Sequence, residues 1–321
     1  GGSLNAGQIA KRAQDIEQIN IPLRARAGLD ARPLHNKWNA PGMIIHILLA
    51  LQTVAANGHA VVSGVDISSP IDEETLSLLR RAFYSHSVLV FRDQEISNEQ
   101  HIAFSGGFGP LEMTIANDPV GDGGPIGVIC NVDESGDIIP PDDKRMLYQK
   151  GNTMWHSDGA FRRVPLRGSL LSAKEVPPQG GETEYASLRA AYATLPAARQ
   201  SLIEDLVAEH SLAYSRSQIA ADLMEDEFLK NTPPTPHPLV RMIPETGEKV
   251  LLVGSYATHI VGWPVEEGRT LLRELLEWAT QPQFVYRHEW QLHDLVMWDN
   301  VSCLHRGRPW DGWNHRRVMH R

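Results

Sequence analysis

The chain has 321 residues, of which 42% are hydrophobic and 21% charged, enough for one globular domain with a substantial core. Its net charge of −9 argues against nucleic acid as a partner, because phosphate binding depends mainly on lysine and arginine. The two cysteines, Cys130 and Cys303, make no disulfide scaffold and no CxxC pair, so we predict buried thiols in a cytoplasmic protein. The longest apolar run, residues 43–51, is about half of what a bilayer span needs, so no membrane helix is expected.

The N-terminal part differs from the rest of the chain. A polar stretch with helical spacing at 6–20 precedes the apolar run, and little in this part carries chemistry. We therefore predict an N-terminal extension of unassigned role at 1–55 and a single domain at 56–321.

Strand and helix signals alternate at the start of this domain. A strand is predicted at 60–67, a helix with acidic residues in its first turn at 72–83, and a buried strand at 87–91. Ser97 is expected to cap a helix that begins at Asn98.

The remainder of the domain is rich in strand signals. Residues 109–150 contain much Gly, Pro and Asp and are predicted to form a mobile loop over a site. Further strands, rich in β-branched and aromatic residues, are predicted at 168–172, 249–253, 284–290 and 294–298. Helices are predicted at 188–194, 197–209 and 265–280. Short strands separated by turns indicate a mainly β fold, an antiparallel core with helices packed outside it.

The tripeptide His156-Ser157-Asp158 is the first candidate for a metal site. Residues i and i+2 of an extended segment point to the same side, so one ion can contact both the imidazole and the carboxylate. His305 is the leading third ligand, because it follows the predicted strand at 294–298 and the turn-like Asp299-Asn300. Two histidines and one carboxylate leave open positions on the metal, as in non-haem Fe(II) oxygenases.

The motif by itself has low specificity. With 14 histidines in the chain, one HxD arises about once by chance, and His101, His210 and His237 are better explained as structural histidines. A zinc hydrolase uses a similar ligand set, and a non-catalytic binding protein is a third alternative.

The C-terminal end adds a charge signal. Residues 305–321 contain five arginines and a single aspartate, although the chain as a whole is acidic. This indicates a small anionic ligand there, with a solvated basic tail as the alternative.

Several stretches together resemble one family. They are 88–92, 101–105, 108–111, 176–184, 295–300, 304–308 and 315–321. From about Val62 onward the sequence strongly resembles the taurine dioxygenase and 2,4-dichlorophenoxyacetate dioxygenase family of Fe(II)/2-oxoglutarate enzymes, and it is similar above all to the aryloxyalkanoate branch. The resemblance implies a double-stranded β-helix, or jelly roll, and a dimer or tetramer. Since relatives continue beyond the final strand, a truncated C-terminus is also an expectation.

The resemblance also implies the co-substrate site. Fe(II) held by His156, Asp158 and His305 would bind 2-oxoglutarate and O2, with Thr183 and an arginine contacting the distal carboxylate. Arg317 matches that arginine and Arg321 the arginine for the substrate anion. The spacing from His305 is one residue longer than expected, which leaves Arg316 as the alternative to Arg317. A guanidinium binds a carboxylate through two parallel hydrogen bonds.

The implied reaction is hydroxylation of a small anionic substrate. Related halogenases have a small residue where this chain has Asp158, so its presence favours oxygen insertion. An aryloxyalkanoate, cleaved at its ether bond after hydroxylation, is the leading substrate class, and an alkylsulfonate such as taurine is the alternative. The region after Glu112 lacks the lysine expected of 2,4-dichlorophenoxyacetate enzymes, which argues against that herbicide as the native substrate. Candidate substrate contacts are Asn131, His259, Met113, Ser157 and Phe161.

Overall fold

The described part of the chain is given by a computed structural model. It comprises residues 50–53, 58–114, 121, 123–220, 223 and 231–321. The predicted helix at 6–20, like most of the apolar run at 43–51, lies outside the described residues. Among the described residues, no helix has the length and apolarity to cross a membrane.

Strands dominate the described residues. In chain order they are β1 (Ala50–Thr53), β2 (His59–Ser63), β3 (Val88–Phe91), β4 (Val128–Cys130), β5 (Gly168–Glu175), β6 (Thr183–Ser187), β7 (Val207–His210), β8 (Thr235–Pro238), β9 (Val240–Met242), β10 (Lys249–Leu251), β11 (Ala257–Ile260), β12 (Val285–His288), β13 (Leu295–Asp299), β14 (Cys303–Gly307) and β15 (Val318–His320). The α-helices are α1 (Glu73–His86), α2 (Asn98–Gly106), α3 (Lys144–Gln149), α4 (Leu188–Thr194), α5 (Ala197–Ile203), α6 (Leu212–Ser217) and α7 (Val265–Ala279). Short 3-10 turns cover Lys150–Thr153 and Pro282–Phe284.

Two sheets form the centre of the fold. The larger has seven strands in the order β1-β2-β3-β13-β5-β15-β4, antiparallel except for the β2–β3 pair, and the smaller has the order β12-β6-β14. Trp298 and Met319 of the large sheet share one buried cluster with Tyr185 and Cys303 of the small sheet. The two sheets therefore pack against each other across an apolar core, and the predicted mainly β fold with flanking helices is confirmed.

The helices cover the outside of this core, and their ends follow the sequence signals. The N-cap side chain of Asp72 accepts a hydrogen bond from the backbone of Thr75, and Ser97 and Gln100 form a capping box at the start of α2. Buried Phe83 of α1 and Phe104 of α2 pack on the large sheet. The cap predicted at Ser97 is confirmed.

Two sequence predictions about secondary structure were wrong. The helix predicted at 197–209 ends at Ile203, and the chain continues as strand β7. In the sheet, β7 lies between β8 and β11, so strand pairing overrides the helical spacing of apolar residues there. The predicted loop at 109–150 contains β4, which pairs with β15, as well as α3. Residues 115–120 and 122 of that loop lie outside the described part.

Candidate metal and co-substrate site

His156, Asp158 and His305 come together as one buried group. Their ligand atoms all lie within 4.8 Å of one another. Nε2 of His156 is 3.8 Å from Oδ1 of Asp158, and Nε2 of His305 is 3.7 Å from Oδ2. The two nitrogen donors thus face the two oxygens of a single carboxylate, an arrangement suited to a divalent metal.

Backbone pairing brings these residues together. His305 follows β13 and the turn after it, as the sequence suggested, and lies in the middle of β14, opposite Tyr185 of β6. The backbones of His156 and His305 exchange two hydrogen bonds of 3.0 and 2.8 Å. Backbone pairing with β14 therefore positions His156.

Hydrogen bonds orient the donors of the tripeptide. Nδ1 of His156 lies 2.8 Å from the carbonyl oxygen of Met154, which directs Nε2 toward the group. The Ser169 hydroxyl donates to Oδ2 of Asp158 over 2.7 Å, and Oδ1 of Asn300 accepts from the Asp158 backbone over 3.1 Å. The Asn300 amide also donates to Ser169, so that these three residues form one network.

Sequence reasoning missed the positioning roles of Ser169 and Asn300. A signal existed for Asn300, since it ends the Met-Trp-Asp-Asn stretch on which the family resemblance partly rests. His305 is held differently, since its Nδ1 has no hydrogen-bond partner and its ring lies 4.7 Å from that of Trp298.

Electrostatics favour the charge states that a metal requires. Burial lowers the pKa of His156 and lowers that of His305 well below its usual value, so both imidazoles are neutral at pH 7. Burial opposes ionisation of Asp158, but Arg321 and the two histidines hold its pKa below the ordinary value. Two neutral imidazoles and a carboxylate are ready to coordinate without first losing protons.

A cavity opens onto this group. Asp158 and Arg321 form its floor, and Nη1 of Arg321 donates to Oδ1 of Asp158 over 2.9 Å. Its walls combine apolar with cationic side chains, among them Phe161, Leu166, Leu212, Tyr256, Arg162 and Arg216. Such a mixture suits a small molecule with an apolar body and an anionic end.

A second polar site surrounds Arg317, which is buried at 7% exposure. Burial lowers the pKa of its guanidinium to about 10, so it stays charged at neutral pH. Its Nε has no hydrogen-bond partner among the described residues, and its guanidinium carbon lies 5.4 Å from the ring centre of Trp310. At Gly181, where φ is +72°, a Cβ would lie 3.2 Å from Nε of Arg317. An unpartnered buried cation in a tight cradle fits an anionic ligand that completes the site.

Thr183 belongs to the same part of the small sheet. It is buried and lies two residues before Tyr185 on β6, and Tyr185 interacts electrostatically with Arg317. The Thr183 hydroxyl accepts from Nε1 of Trp290 over 3.0 Å. Its own hydrogen therefore remains available to donate to a carboxylate.

Arg316 points elsewhere. It bonds Glu175 over 2.8 Å and the Gly136 carbonyl over 3.0 Å, with 44% of its side chain exposed. Burial alternates at the end of the chain, since Arg317 and Met319 are buried while Arg316 is exposed and Val318 partly exposed. The structure thus brings Arg317, and not Arg316, to the buried face of β15.

Of the predicted substrate residues, Phe161 and Arg321 are among the described residues that line the cavity, whereas Asn131 and Ser157 are not. The Asn131 amide donates to the carbonyls of Gly312 and His315 and accepts from the backbone of Arg317, so it organises the chain before β15. Ser157 donates to the carbonyl of Asn300 over 2.5 Å.

His259 and Met113 are likewise not among the described residues that line this cavity. His259 lies on β11, where its Nδ1 is 2.7 Å from the Thr258 hydroxyl, and it is not part of the cavity wall. Met113 is 50% exposed, and its neighbour Thr114 lines the cavity instead. Proximity in sequence to a loop or strand end did not reveal which way these side chains point.

The remaining candidate ligands are structural. His101, His210 and His237 are buried, and the rings of the last two pack edge to face at 5.5 Å. Cys130 and Cys303 are buried free thiols, as predicted.

Comparison with known proteins identifies the family. The profile described as "Taurine catabolism dioxygenase TauD, TfdA family" matches residues 50–321. The chain belongs to this family. The resemblance drawn from the sequence stretches is confirmed.

Relatives in the TauD/TfdA family are close. The chain is 42% identical over 267 residues to alpha-ketoglutarate-dependent 2,4-dichlorophenoxyacetate dioxygenase of Cupriavidus pinatubonensis, covering 78% of this chain and 89% of the relative. It is 38% identical over 269 residues to (S)-phenoxypropionate/alpha-ketoglutarate-dioxygenase of Sphingobium herbicidovorans, covering 81% and 90%. The crystal structure of AAD-2 in complex with Mn(II) and N-oxalylglycine matches with a TM-score of 0.78 and 40% identity, covering 85% of this chain and 95% of that one.

Proposed function

We propose that this TauD/TfdA family protein is an Fe(II)- and 2-oxoglutarate-dependent dioxygenase that hydroxylates an aryloxyalkanoate-type carboxylate and so cleaves its ether bond. The observation that carries the proposal is the pairing of two buried sites. One is the His156/Asp158/His305 group, and the other is the buried Arg317 guanidinium with an unpartnered Nε. A bound metal would explain the first site, and an anionic co-substrate would explain the second.

His156, Asp158 and His305 would hold the iron. Their donors are two imidazole nitrogens and one carboxylate, the set that non-haem Fe(II) oxygenases use. Ser169 and Asn300 hold the Asp158 carboxylate in its orientation, as expected of residues that support a metal ligand.

Arg317 and Thr183 would hold the distal carboxylate of 2-oxoglutarate. The guanidinium is buried, charged and packed close to the backbone of Gly181, and the threonine hydroxyl has a hydrogen to donate. The exposed pairing of Arg316 with Glu175 makes it the weaker choice.

The iron, 2-oxoglutarate and O2 together supply the oxidation that inserts one oxygen atom into a substrate C–H bond, with succinate and CO2 as the other products. Hydroxylation of the carbon next to an ether oxygen gives a hemiacetal, which collapses to a phenol and an oxo acid. The protein's own residues bind and orient the substrate. Phe161, Leu212 and Tyr256 offer apolar contacts to an aryl ring, and Arg321 at the cavity floor offers a cation to its carboxylate.

The alternatives are less well supported. A zinc hydrolase or a non-catalytic binding protein gives no reason for the buried Arg317 with its free Nε. An alkylsulfonate substrate is not favoured, because the relatives at 42% and 38% identity are named for aryloxyalkanoates.

Several wider features belong to the same proposal. The two packed sheets suit a double-stranded β-helix, with residues 56–321 as the dioxygenase domain and 1–55 as an extension. We further propose a cytoplasmic protein that acts on a small anionic molecule, without nucleic-acid or membrane partners, and that assembles as a dimer or tetramer.

The test is an assay of the full chain with Fe(II), 2-oxoglutarate and ascorbate under air. Succinate formation would be measured with aryloxyacetates, 2-aryloxypropionates and alkylsulfonates, together with release of the phenol. We expect aryloxyalkanoates to stimulate succinate formation with one phenol released per succinate. Turnover with sulfonates alone would overturn the substrate class. If the protein consumed no 2-oxoglutarate but hydrolysed esters or amides with Zn²⁺, the whole assignment would be overturned.

A further inference from the structure

Arg216 is a buried cation in the wall of the cavity, contributed by a different element from Arg321. It lies near the end of the short helix α6, whose first turn is capped by Ser211, and only 6% of it is exposed. Its guanidinium carbon lies 4.7 Å from the ring centre of Tyr148, and its side chain also hydrogen-bonds Tyr256. These aromatic contacts hold the guanidinium at the cavity surface.

The backbone at Gly151 packs closely against this guanidinium. A Cβ at Gly151 would lie 2.1 Å from Nη1 of Arg216 and 2.5 Å from its central carbon. Any side chain at this position would displace the end of Arg216. Glycine at 151 therefore permits the close approach of backbone and guanidinium.

The three arginines of the described cavity wall differ in burial, and Arg216 is the most deeply buried of them. Arg321 donates to Asp158 over 2.9 Å, so part of its charge is neutralised by a residue of the metal group. Arg162 forms an ion pair with Glu112 and lies farther out, with 28% of its side chain exposed. Arg216 is more deeply buried than either, and a buried cation interacts more strongly with an anion than one in contact with water.

The cavity also brings apolar and charged contacts together. Arg216 and Leu212 lie one turn apart on α6, and Tyr256 packs against Phe161 with ring centres 5.1 Å apart. An aryl ring among these side chains would leave its carboxylate arm within the part of the cavity that Arg216 and Arg321 line.

On the basis of the proposed function, we propose that Arg216 is a specificity-determining residue that recognises the substrate carboxylate together with Arg321. Arg216 would thereby select acids over neutral aryl ethers of the same shape. Its contact would be a charge-assisted hydrogen bond with one carboxylate oxygen or both.

The experiment compares an aryloxyacetate with its primary amide, which has nearly the same shape but no charge. Five chains would be assayed: the parent, Arg216→Met, Arg216→Lys, Gly151→Ala and Arg199→Met. Arg199→Met is the matched control, since Arg199 is an exposed arginine paired with Glu274 outside the cavity. KM would be measured for the acid, the amide and 2-oxoglutarate, and binding of the acid would be followed by calorimetry on protein loaded with Mn(II) and N-oxalylglycine.

We expect Arg216→Met to raise KM for the acid roughly 10-fold to 100-fold, which is the loss of a charge-assisted hydrogen bond, and to abolish the preference for acid over amide. Arg216→Lys should restore part of that preference. Gly151→Ala should weaken acid binding about 3-fold to 10-fold by displacing the guanidinium. Arg199→Met should match the parent.

Three results would overturn the assignment. In the first, the parent turns over the acid, but Arg216→Met keeps the parent's ratio of KM for the acid to KM for the amide. That result would leave the proposed function intact. The second is loss of 2-oxoglutarate affinity with an unchanged ratio, which would make Arg216 a co-substrate residue. In the third, the loaded parent fails to bind any aryloxyalkanoate, and the proposed substrate class falls as well.

Discussion

The metal group and the Arg317 site lie in the same β core, but their charged groups have different surroundings. Asp158 accepts hydrogen bonds from Ser169 and Arg321, and its backbone is bonded to Asn300. Arg317 carries an Nε without a hydrogen-bond partner although it is buried.

This difference indicates two ways of preparing a site. A metal ligand has to be held in its orientation before the ion arrives, so the protein supplies the supporting hydrogen bonds itself. An unsatisfied buried donor costs about 1–3 kcal/mol, and a carboxylate that completes it recovers that free energy on binding. We therefore propose that the Asp158 site is prebuilt, whereas the Arg317 site is completed by its ligand.

The largest effect should come from removing the carboxylate from the prebuilt site. Asp158→Ala deletes one of three ligands and leaves the nearby Arg321 charge without its partner. We expect Fe(II) affinity and aryloxyalkanoate-dependent succinate formation to fall by more than about 100-fold, beyond what loss of a supporting residue costs. Metal titration and the succinate assay measure this, with the exposed Asp311→Asn as control. Retention of stoichiometric Fe(II) binding would place the metal elsewhere.

The next largest effect should come from the ligand-completed site. Arg317→Met removes a charge-assisted interaction with the co-substrate, so KM for 2-oxoglutarate should rise roughly 10-fold to 100-fold. Arg316→Met is the matched control one residue away, and its surface pair with Glu175 is worth at most about 1 kcal/mol. The pair of KM values decides between the two arginines, and a larger effect of Arg316→Met would reverse the assignment.

A supporting residue of the prebuilt site should matter less than a ligand. Ser169→Ala removes the hydroxyl that donates to Oδ2 of Asp158. We expect about a 10-fold loss of Fe(II) affinity, with little change in KM for 2-oxoglutarate at saturating metal. Ser172→Ala is the control, because Ser172 lies on the same strand and its hydroxyl has no hydrogen-bond partner. Equal losses in both variants would point to general damage to β5 instead.

The smallest effect should come from the partner of Thr183. Trp290→Phe keeps most of the ring but loses the hydrogen bond from Nε1 to the threonine hydroxyl. A neutral hydrogen bond is worth about 0.5–1.5 kcal/mol, so KM for 2-oxoglutarate should rise about 3-fold to 10-fold with unchanged Fe(II) affinity. Trp313→Phe, at an exposed tryptophan, provides the comparison. An unchanged KM would separate Thr183 from co-substrate binding.

Much of the fold was predictable from local patterns. The capping residues Asp72 and Ser97 marked real helix starts, and the apolar run at 87–91 became β3, an interior strand of the large sheet. Local signals failed where distant pairing decided the outcome, as at β7, where alternating burial replaced a continued helix.

The sequence by itself determined the chemistry available to this protein: the HxD tripeptide, a third histidine, a threonine and closely spaced arginines at the end of the chain. Tertiary structure alone decided how they are used. Pairing of His156 with His305 closed the metal group, and the alternation along β15 buried Arg317 while exposing Arg316. The same packing turned Asn131 and Ser157 toward the backbone and brought Arg216 to the cavity. The physical reason is that residue type sets what a side chain can bind, whereas its direction depends on strand register and on neighbours distant in the chain.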